Sequence, residues 1–312
     1  MKWLVNEAVK RYLQMRMKRI EQYMVRPEES QERWLRKILD RGRTTEFGKR
    51  YDLLGATSIE AFKSKVPVHE YDDLKDDIRR MMLGEKNVLW PGEVNWYSKS
   101  SGTTSDKSKF IPVPYGNLFN CHLAGVWDSM ALLYANKPEM LAFQHKNLVV
   151  PGSFYNLEEY PKTHVGDVSA ILVQHMPTIG RVFYTPDIQT VLQPNFEEKL
   201  HHIAEITSKQ QDIVTFGGVP TWLIVLFRLL IHMEKRAKAI CWKYGRICRL
   251  ICLEASVLNL TGKHLKPWSQ AMILLIWKCT MPQRVFWCSV RFEAKRYVAV
   301  CRQWCFLRIC TR

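Results

Sequence analysis

The chain has 312 residues, 47% of them hydrophobic, and a formal net charge of +16. That length and apolar content give one large domain or two ordinary ones around a sizeable core, and no run approaches the roughly 20 apolar residues of a membrane helix. The start, Met1 to Lys10, is broken by charge before any apolar run reaches signal length, so a cytoplasmic chain without a secretory leader is expected.

Residues 2–25 carry Leu4, Val5, Ala8, Val9, Tyr12, Leu13, Met17, Ile20 and Met24 at helical spacing with Lys and Arg between them. This is an amphipathic helix, packed on the protein rather than on a membrane surface. A second helix is expected after Pro27, from Glu29 to Asp40, with Thr44 to Gly48 as the break behind it. Ser58 is placed to cap another short helix. Val66-Pro-Val-His-Glu-Tyr-Asp-Asp73 turns the chain into a charged helix from Asp73 to Met82, and Pro91-Gly92 marks a turn.

Between two strand pieces, Asn95–Ser98 and Phe110–Pro112, lies the stretch that organises the reading. It runs Ser100-Ser-Gly-Thr-Thr-Ser-Asp-Lys-Ser-Lys109. Small side chains let the backbone come close to a polyanion, and successive amides with hydroxyls form a nest for phosphate oxygens, with Lys109 adding charge at the end. The same run also fits a plain solvent-exposed turn. It is not a P-loop, because no Gly-Lys-Ser/Thr ending opens a helix, and it lacks the three glycines of the dinucleotide fingerprint.

Beyond the loop, Asn117 to Tyr134 is apolar at helical spacing, and Lys146 to Ser153 reads as a buried strand closed by a turn. Gly166 to His175 fits a strand or a short helix. Ile203 to Gln210 reads as helix, Asp212 to Pro220 as a strand entering a Gly217-Gly218 turn, and Trp222 to Leu230 as the start of another helix. Alternating strands and helices give an α/β fold. His122, His145, His164 and His175 show no ligand spacing, and His201-His202 falls on a predicted helix, so no metal site is expected.

The loop resembles the phosphate-binding signature of the adenylate-forming superfamily. Within it, Ser100 to Pro112 is similar to the version in the Gretchen-Hagen family of acyl-acid amido synthetases. Thr44-Thr-Glu-Phe-Gly48, the Val66 to Asp73 segment and Phe216-Gly-Gly-Val-Pro-Thr-Trp222 are also similar to that family. The resemblance covers residues 1–230 and implies a partial N-terminal adenylate-forming domain with a helical N-terminal region. It implies ATP and Mg²⁺ as cofactors, and a small carboxylic acid with an amino acid or other amine as partners. By the motif match, Ser100, Ser101, Gly102, Thr103, Thr104 and Ser105 hold the β and γ phosphates, and Lys109 stabilises developing charge. Gly217, Gly218, Val219 and Pro220 border the pocket.

The last eighty residues are of another kind. Residues 1–230 hold 30 basic and 27 acidic side chains, whereas residues 231–312 hold 16 and 3, together with eight of the nine cysteines. Such a basic tail with tryptophans points to nucleic acid in general, but it shows no binding-module signature, and its cysteine gaps fit neither zinc nor a disulfide scaffold. Reverse-translated and read one nucleotide upstream, residues 275–285 permit Tyr-Met-Glu-Val-Tyr-Asn-Ala-Ser-Glu-Gly, which is similar to the family's second nucleotide motif. From about Val285 a shift downstream permits further family-like peptides. The expectation is therefore an out-of-frame tail from about residue 231, absent the second motif in frame, and a chain that is by itself an inactive fragment. The alternatives are a nonenzymatic nucleotide-binding remnant and a nucleic-acid binder through the tail.

Overall fold

The computed structural model describes residues 2–100, 109–233 and 249–252. The N-terminal region is helical: α1 (Lys2–Val25), α2 (Pro27–Gly42), α3 (Glu46–Arg50), α4 (Ile59–Lys65) and α5 (Tyr71–Met82). Strands β1 (Trp96–Lys99) and β2 (Phe110–Pro112) follow. Then α6 (Tyr115–Asn117), a π-helical stretch (Leu118–Leu123) and α7 (Ala124–Asn136) run end to end. The chain continues through β3 (Lys146–Val150), β4 (Phe154–Tyr155), β5 (His164–Gly166), α8 (Val168–Gln174), α9 (Thr178–Arg181) and β6 (Tyr184–Thr185). It goes on through α10 (Ile188–Val191), α11 (Phe196–Ser208), β7 (Ile213–Gly218), α12 (Pro220–Met233) and β8 (Arg249–Cys252). The fold is α/β with a helical N-terminal region, as the sequence leads one to expect. Among the described residues no helix is long and apolar enough to cross a membrane.

Local chemistry sets the helix starts. Pro27 itself begins α2, where its missing N–H costs nothing, with Glu28 and Glu29 in the first turn and Arg41 in the last. The helix breaks at Thr44 and Thr45 as expected, but the rest of the Thr44–Gly48 segment already belongs to α3. Thr45 Oγ1 accepts from the Gly48 amide at 2.9 Å and donates to the Gly42 carbonyl at 2.7 Å. A Cβ on Gly48 would collide with that Gly42 carbonyl, so glycine is required there. Ser58 caps α4 as expected, accepting from the Ala61 amide at 3.1 Å. Asp73 accepts from the Glu70 amide at 2.7 Å, which starts α5 at Tyr71 rather than at Asp73. Asn195 accepts from the amides of Glu197 and Glu198, so α11 begins well before Ile203.

Of the described residues, 2–18, 127–153 and 172–252 form one compact unit, and 19–126 with 154–171 form another. The first is built on an all-parallel sheet of order β6-β3-β7-β8. A parallel sheet covered on both faces needs apolar side chains on both. Accordingly β7 is buried at all six positions, and β3 at every position after Lys146. Leu148, Val149, Val150, Ile203, Leu223 and Leu226 form the centre of its core. Polar groups buried there are tied down. Asn147 Nδ2 donates to the carbonyls of Ala142 at 2.7 Å and Phe183 at 2.8 Å, and its Oδ1 accepts from Thr215 Oγ1 at 2.5 Å.

The face of α1 that packs in this unit differs from the expected stripe. Leu13 and Met17 are buried, but so are Asn6 and Arg16, while Leu4 is exposed. Asn6 Oδ1 accepts from the Tyr134 hydroxyl at 2.9 Å and the Phe143 amide at 3.3 Å. Arg16 Nε lies 2.6 Å from Asp128 Oδ1. Long-range polar partners thus join the apolar spacing in setting the buried side.

The second unit holds a mixed sheet of order β2-β1-β5-β4. Strand β1 is antiparallel to β2 and parallel to β5, and β5 is antiparallel to β4. Ile78, Met81 and Met82 of α5 pack with Val88, Val94, Tyr97 and Val165. A smaller cluster, Leu39, Leu53, Ala56 and Val66, ties α2 to the short helices after it.

Candidate functional site

Strands β1 and β2 are the arms of a hairpin, with Tyr97 opposite Pro112, Ser98 opposite Ile111 and Lys99 opposite Phe110. Residues 100–109 join them, a link far longer than the two to five residues usual for a hairpin. Ser100 and Lys109 close its neck. The Ser100 amide donates to the Lys109 carbonyl at 2.9 Å, and the Lys109 amide donates to Ser100 Oγ at 3.3 Å. The Phe110 amide donates to the Tyr71 hydroxyl at 3.0 Å, so the start of α5 holds the exit strand.

Two ammonium groups flank this neck. Lys109 Nζ lies 5.4 Å from the centre of the Tyr71 ring, and Lys99 Nζ lies 4.3 Å from that of Tyr155. Each is attracted to its ring face. The Tyr155 hydroxyl in turn donates to Asp167 Oδ2 at 3.4 Å. The neck stands at the carboxyl end of the parallel pair β1–β5, where Ser98 is level with Gly166, and that end of an α/β sheet is where ligands bind. Ser101, Gly102, Thr103, Thr104 and Ser105 lie outside the described residues.

The other predicted group belongs to the parallel-sheet unit. Gly217 and Gly218 end β7 beside Val149 and Val150 of β3. A Cβ on Gly218 would lie 2.9 Å from the Val150 carbonyl oxygen, so the missing side chain is what lets the two strand ends run together. The Val219 carbonyl accepts from the Leu223 amide at 3.1 Å, and Pro220 opens α12.

Sequence reasoning missed the residue that braces the neighbouring turn. Lys199 of α11 is fully buried, and its Nζ donates to the carbonyls of Pro151 at 3.0 Å and Gly152 at 2.9 Å and to Ser153 Oγ at 3.1 Å. An ammonium has three donors, and all three are aimed at the turn that ends β3. Following two glutamates, Lys199 reads as a solvated charge. The signal was its place four and eight residues before the buried Ile203 and Thr207, on one stripe of the helix. Lys99, Tyr71 and Tyr155 were likewise not singled out.

Of the histidines, His164 stacks on Trp96 with ring centres 4.5 Å apart, and His202 Nδ1 is 2.8 Å from Gln193 Oε1. Burial pushes the His122 imidazole below its ordinary value. Among the described residues no three His, Cys, Asp or Glu side chains come together as metal ligands.

The family model described as the GH3 family N-terminal domain matches residues 16–281. The indole-3-acetic acid-amido synthetase GH3.4 of Arabidopsis thaliana is 41% identical over 97 residues, 31% of this chain and 16% of that protein. GH3.2 of the same plant is 36% identical over 137 residues, 44% of this chain and 22% of its own length. GH3.8 of Oryza sativa subsp. indica is 37% identical over 123 residues, 39% of this chain and 18% of its own. Among solved structures, a GH3.15 acyl acid amido synthetase superposes with a TM-score of 0.52 at 16% identity, over 69% of this chain and 37% of that one. AtGH3.15 in complex with 2,4-DB gives 0.53 at 18% identity, over 76% and 39%. The described fold is thus that of the N-terminal part of these proteins, and the matches span only 16–22% of the three curated relatives. With more than half its length matched by the family's N-terminal domain, the chain belongs to the GH3 family.

Proposed function

We propose that the chain is the N-terminal part of an ATP-dependent acyl-acid amido synthetase. In this reaction a carboxylate oxygen attacks the α-phosphorus of ATP, pyrophosphate leaves, and an amino acid or other amine then displaces the adenylate to form an amide. What carries this reading is the long hydroxyl-and-glycine link between β1 and β2, closed by Ser100 and Lys109 at the carboxyl end of a parallel strand pair. The neck suits a triphosphate: small residues admit it closely, and Lys109 stands ready as charge grows on the leaving phosphates, which is when a donor already in place counts most. Ser100, Ser101, Gly102, Thr103, Thr104 and Ser105 grip the β and γ phosphates. By the family resemblance, Gly217, Gly218, Val219 and Pro220 border the pocket. By the family resemblance ATP is used with Mg²⁺, for which the described residues hold no cluster of three or more His, Cys, Asp or Glu side chains. The reading places the chain in the cytoplasm, with small-molecule partners and no nucleic acid or membrane.

The carboxylate of the family's second nucleotide motif is absent in frame, the excess of base over acid begins near residue 231, and eight of the nine cysteines follow residue 240. Although the family match runs on to residue 281, we take 231–312 as an out-of-frame tail, with a second slip near Val285, and the 312 residues by themselves as inactive. The test is acid-dependent exchange of pyrophosphate into ATP. The chain as it stands is expected to give none, whereas the gene with both frames restored and read to its natural stop exchanges, and Lys109→Met in that repaired protein slows exchange by about a hundredfold. Exchange at an intact ligase's rate from the present chain overturns its inactivity. A repaired protein that binds ATP without exchanging overturns the ligase reading in favour of a nonenzymatic nucleotide-binding remnant. The gene's nucleotide sequence decides the frame directly.

A further inference from the structure

The parallel-sheet unit has a topological switch point. From β3 the chain passes to β6 on one side, and through α11 it returns to β7 on the other. The strand order therefore reverses at β3, and the connections leaving the carboxyl ends of β3 and β7 diverge. The crevice outside such strand ends is where an α/β sheet takes a ligand. One lip of it is the Pro151–Ser153 turn after β3, and the other is Gly217 to Pro220. Both are registered on Val150, which pairs with Gly218, and a Cβ on Gly218 would lie 2.9 Å from the Val150 carbonyl oxygen.

Lys199 ties these lips together from beneath. It stands in the first turn of α11, fully buried, and its ammonium donates to Pro151 O, Gly152 O and Ser153 Oγ, all within 3.1 Å. The same Nζ lies 4.9 Å from the centre of the Phe196 ring. That ring is 4.9 Å from the ring of Trp222, in the first turn of α12 and two residues after Pro220. One cation thus holds the first lip by hydrogen bonds and reaches the second through two aromatic rings. Taking an ammonium out of water is costly unless its protons are bonded, and a space that needed only filling would take an apolar side chain. What the ammonium adds is direction. Hydrogen bonds to three successive residues fix the path of a turn, whereas apolar contact is non-directional.

We propose that Lys199 is a positioning residue for the synthetase reaction. It touches no substrate, and it holds the Pro151–Ser153 turn at the distance from Gly217 to Pro220 that the bound substrate requires. The proposal rests on the ligase reading, which makes Gly217 to Pro220 a border of the pocket. A displacement of about 1 Å at such a border is enough to cost a large factor in rate or binding.

The experiment is acid-dependent exchange of pyrophosphate into ATP by the full-length protein with both frames restored. Acetate, octanoate and phenylacetate serve as trial acids, and KM is taken separately for acid and for ATP. Lys199→Met is expected to raise KM about tenfold for the one substrate that the crevice holds, and to leave the other within about twofold. Ile203→Ala is the comparison. It empties part of the core four residues along the same stripe of α11, so it lowers the amount of active protein and the apparent kcat while both KM values stay as they were. Ser153→Ala removes a single acceptor of Lys199 and is expected to raise the same KM about threefold. Added to Lys199→Met it changes nothing further, because the two act through one contact. Unchanged KM values in both variants overturn the proposal, as does an equal shift from Ile203→Ala, which would make Lys199 a structural residue only. Where Lys199→Met does not fold, Ser153→Ala decides by the same KM. A parent that exchanges with none of the acids overturns the ligase reading and this proposal with it, whereas a parent that exchanges and variants that match it overturn the proposal alone.

Discussion

The two units handle polar groups in opposite ways. In the parallel-sheet unit, Arg16, Asp128, Asn147 and Lys199 are all buried, each held by short contacts to groups distant in sequence. In the mixed-sheet unit the main charge network lies at the surface. There Arg80 binds Glu46 at 2.8 Å and Asp77 at 3.0 Å, with Glu85 beside it, and Arg50 reaches the same Asp77 at 3.0 Å. The sheets explain the contrast. A sheet covered on both faces leaves no water for a polar side chain, so each one present must be paired within the protein. Short strands at the edge of a mixed sheet leave their loops in solvent, where a loop is free to bind something else. The first unit is therefore brittle to polar substitution and the second is tolerant.

That contrast breaks most readily at the buried ion pair. Asp128→Ala strands Arg16 without its carboxylate and is expected to cost about 3–5 kcal/mol, read as the shift in urea midpoint; a cost under about 1 kcal/mol would show that the pair is not desolvated. Next comes Lys199→Met, which keeps the length of the side chain but leaves three oxygens of the Pro151–Ser153 turn without their donor. A loss of about 3 kcal/mol is expected, with faster hydrogen exchange confined to that turn. Gly218→Ala follows. It drives a Cβ against the Val150 carbonyl and is expected to cost about 1–3 kcal/mol, whereas Gly92→Ala, where a Cβ meets nothing within 4 Å, loses only what its left-handed backbone demands.

Much of the scaffold was legible because its signals are local. Ser58 caps where a cap was expected, the flanks of the loop are strands, and the apolar runs at 146–150 and 213–218 are the central strands of the parallel sheet. Strands β4, β5 and β6, of two or three residues each, were not legible. No periodicity fits in so short a run, and they are strands only because β1 and β3 offer them edges to pair with. The same holds at the candidate site. The hydroxyl-rich link and Lys109 stand out in the sequence, but nothing local tells that Tyr71 and Tyr155 brace the lysines at its neck, or that Asn6 and Lys199 face inward. Those facts depend on partners brought in by the fold.

On the tolerant side the expected effects are small. Asp77 is itself buried, but the arginines it holds are partly exposed. Asp77→Ala lets both guanidinium groups rehydrate and is expected to cost about 1 kcal/mol, an effect that shrinks further in 1 M salt. Were it to match the loss from Asp128→Ala, the two units would not differ in the way argued.

The least signal is a slope rather than a step. Burial holds the His122 imidazole below its ordinary value of 6.5, so in acid the unfolded chain takes up this proton before the folded one does. Stability is then fully present above pH 6.5 and falls as pH drops from there toward the lowered folded value. His122→Gln cannot titrate and is expected to lose less stability than the parent between pH 7.5 and 5.5, with the carboxylates common to both cancelling in the comparison. Urea midpoints of the two proteins at the two pH values measure this directly. Parallel slopes would mean that the ring is hydrated in the folded state, and that the turn carrying it is as open to water as the rest of the second unit's polar surface.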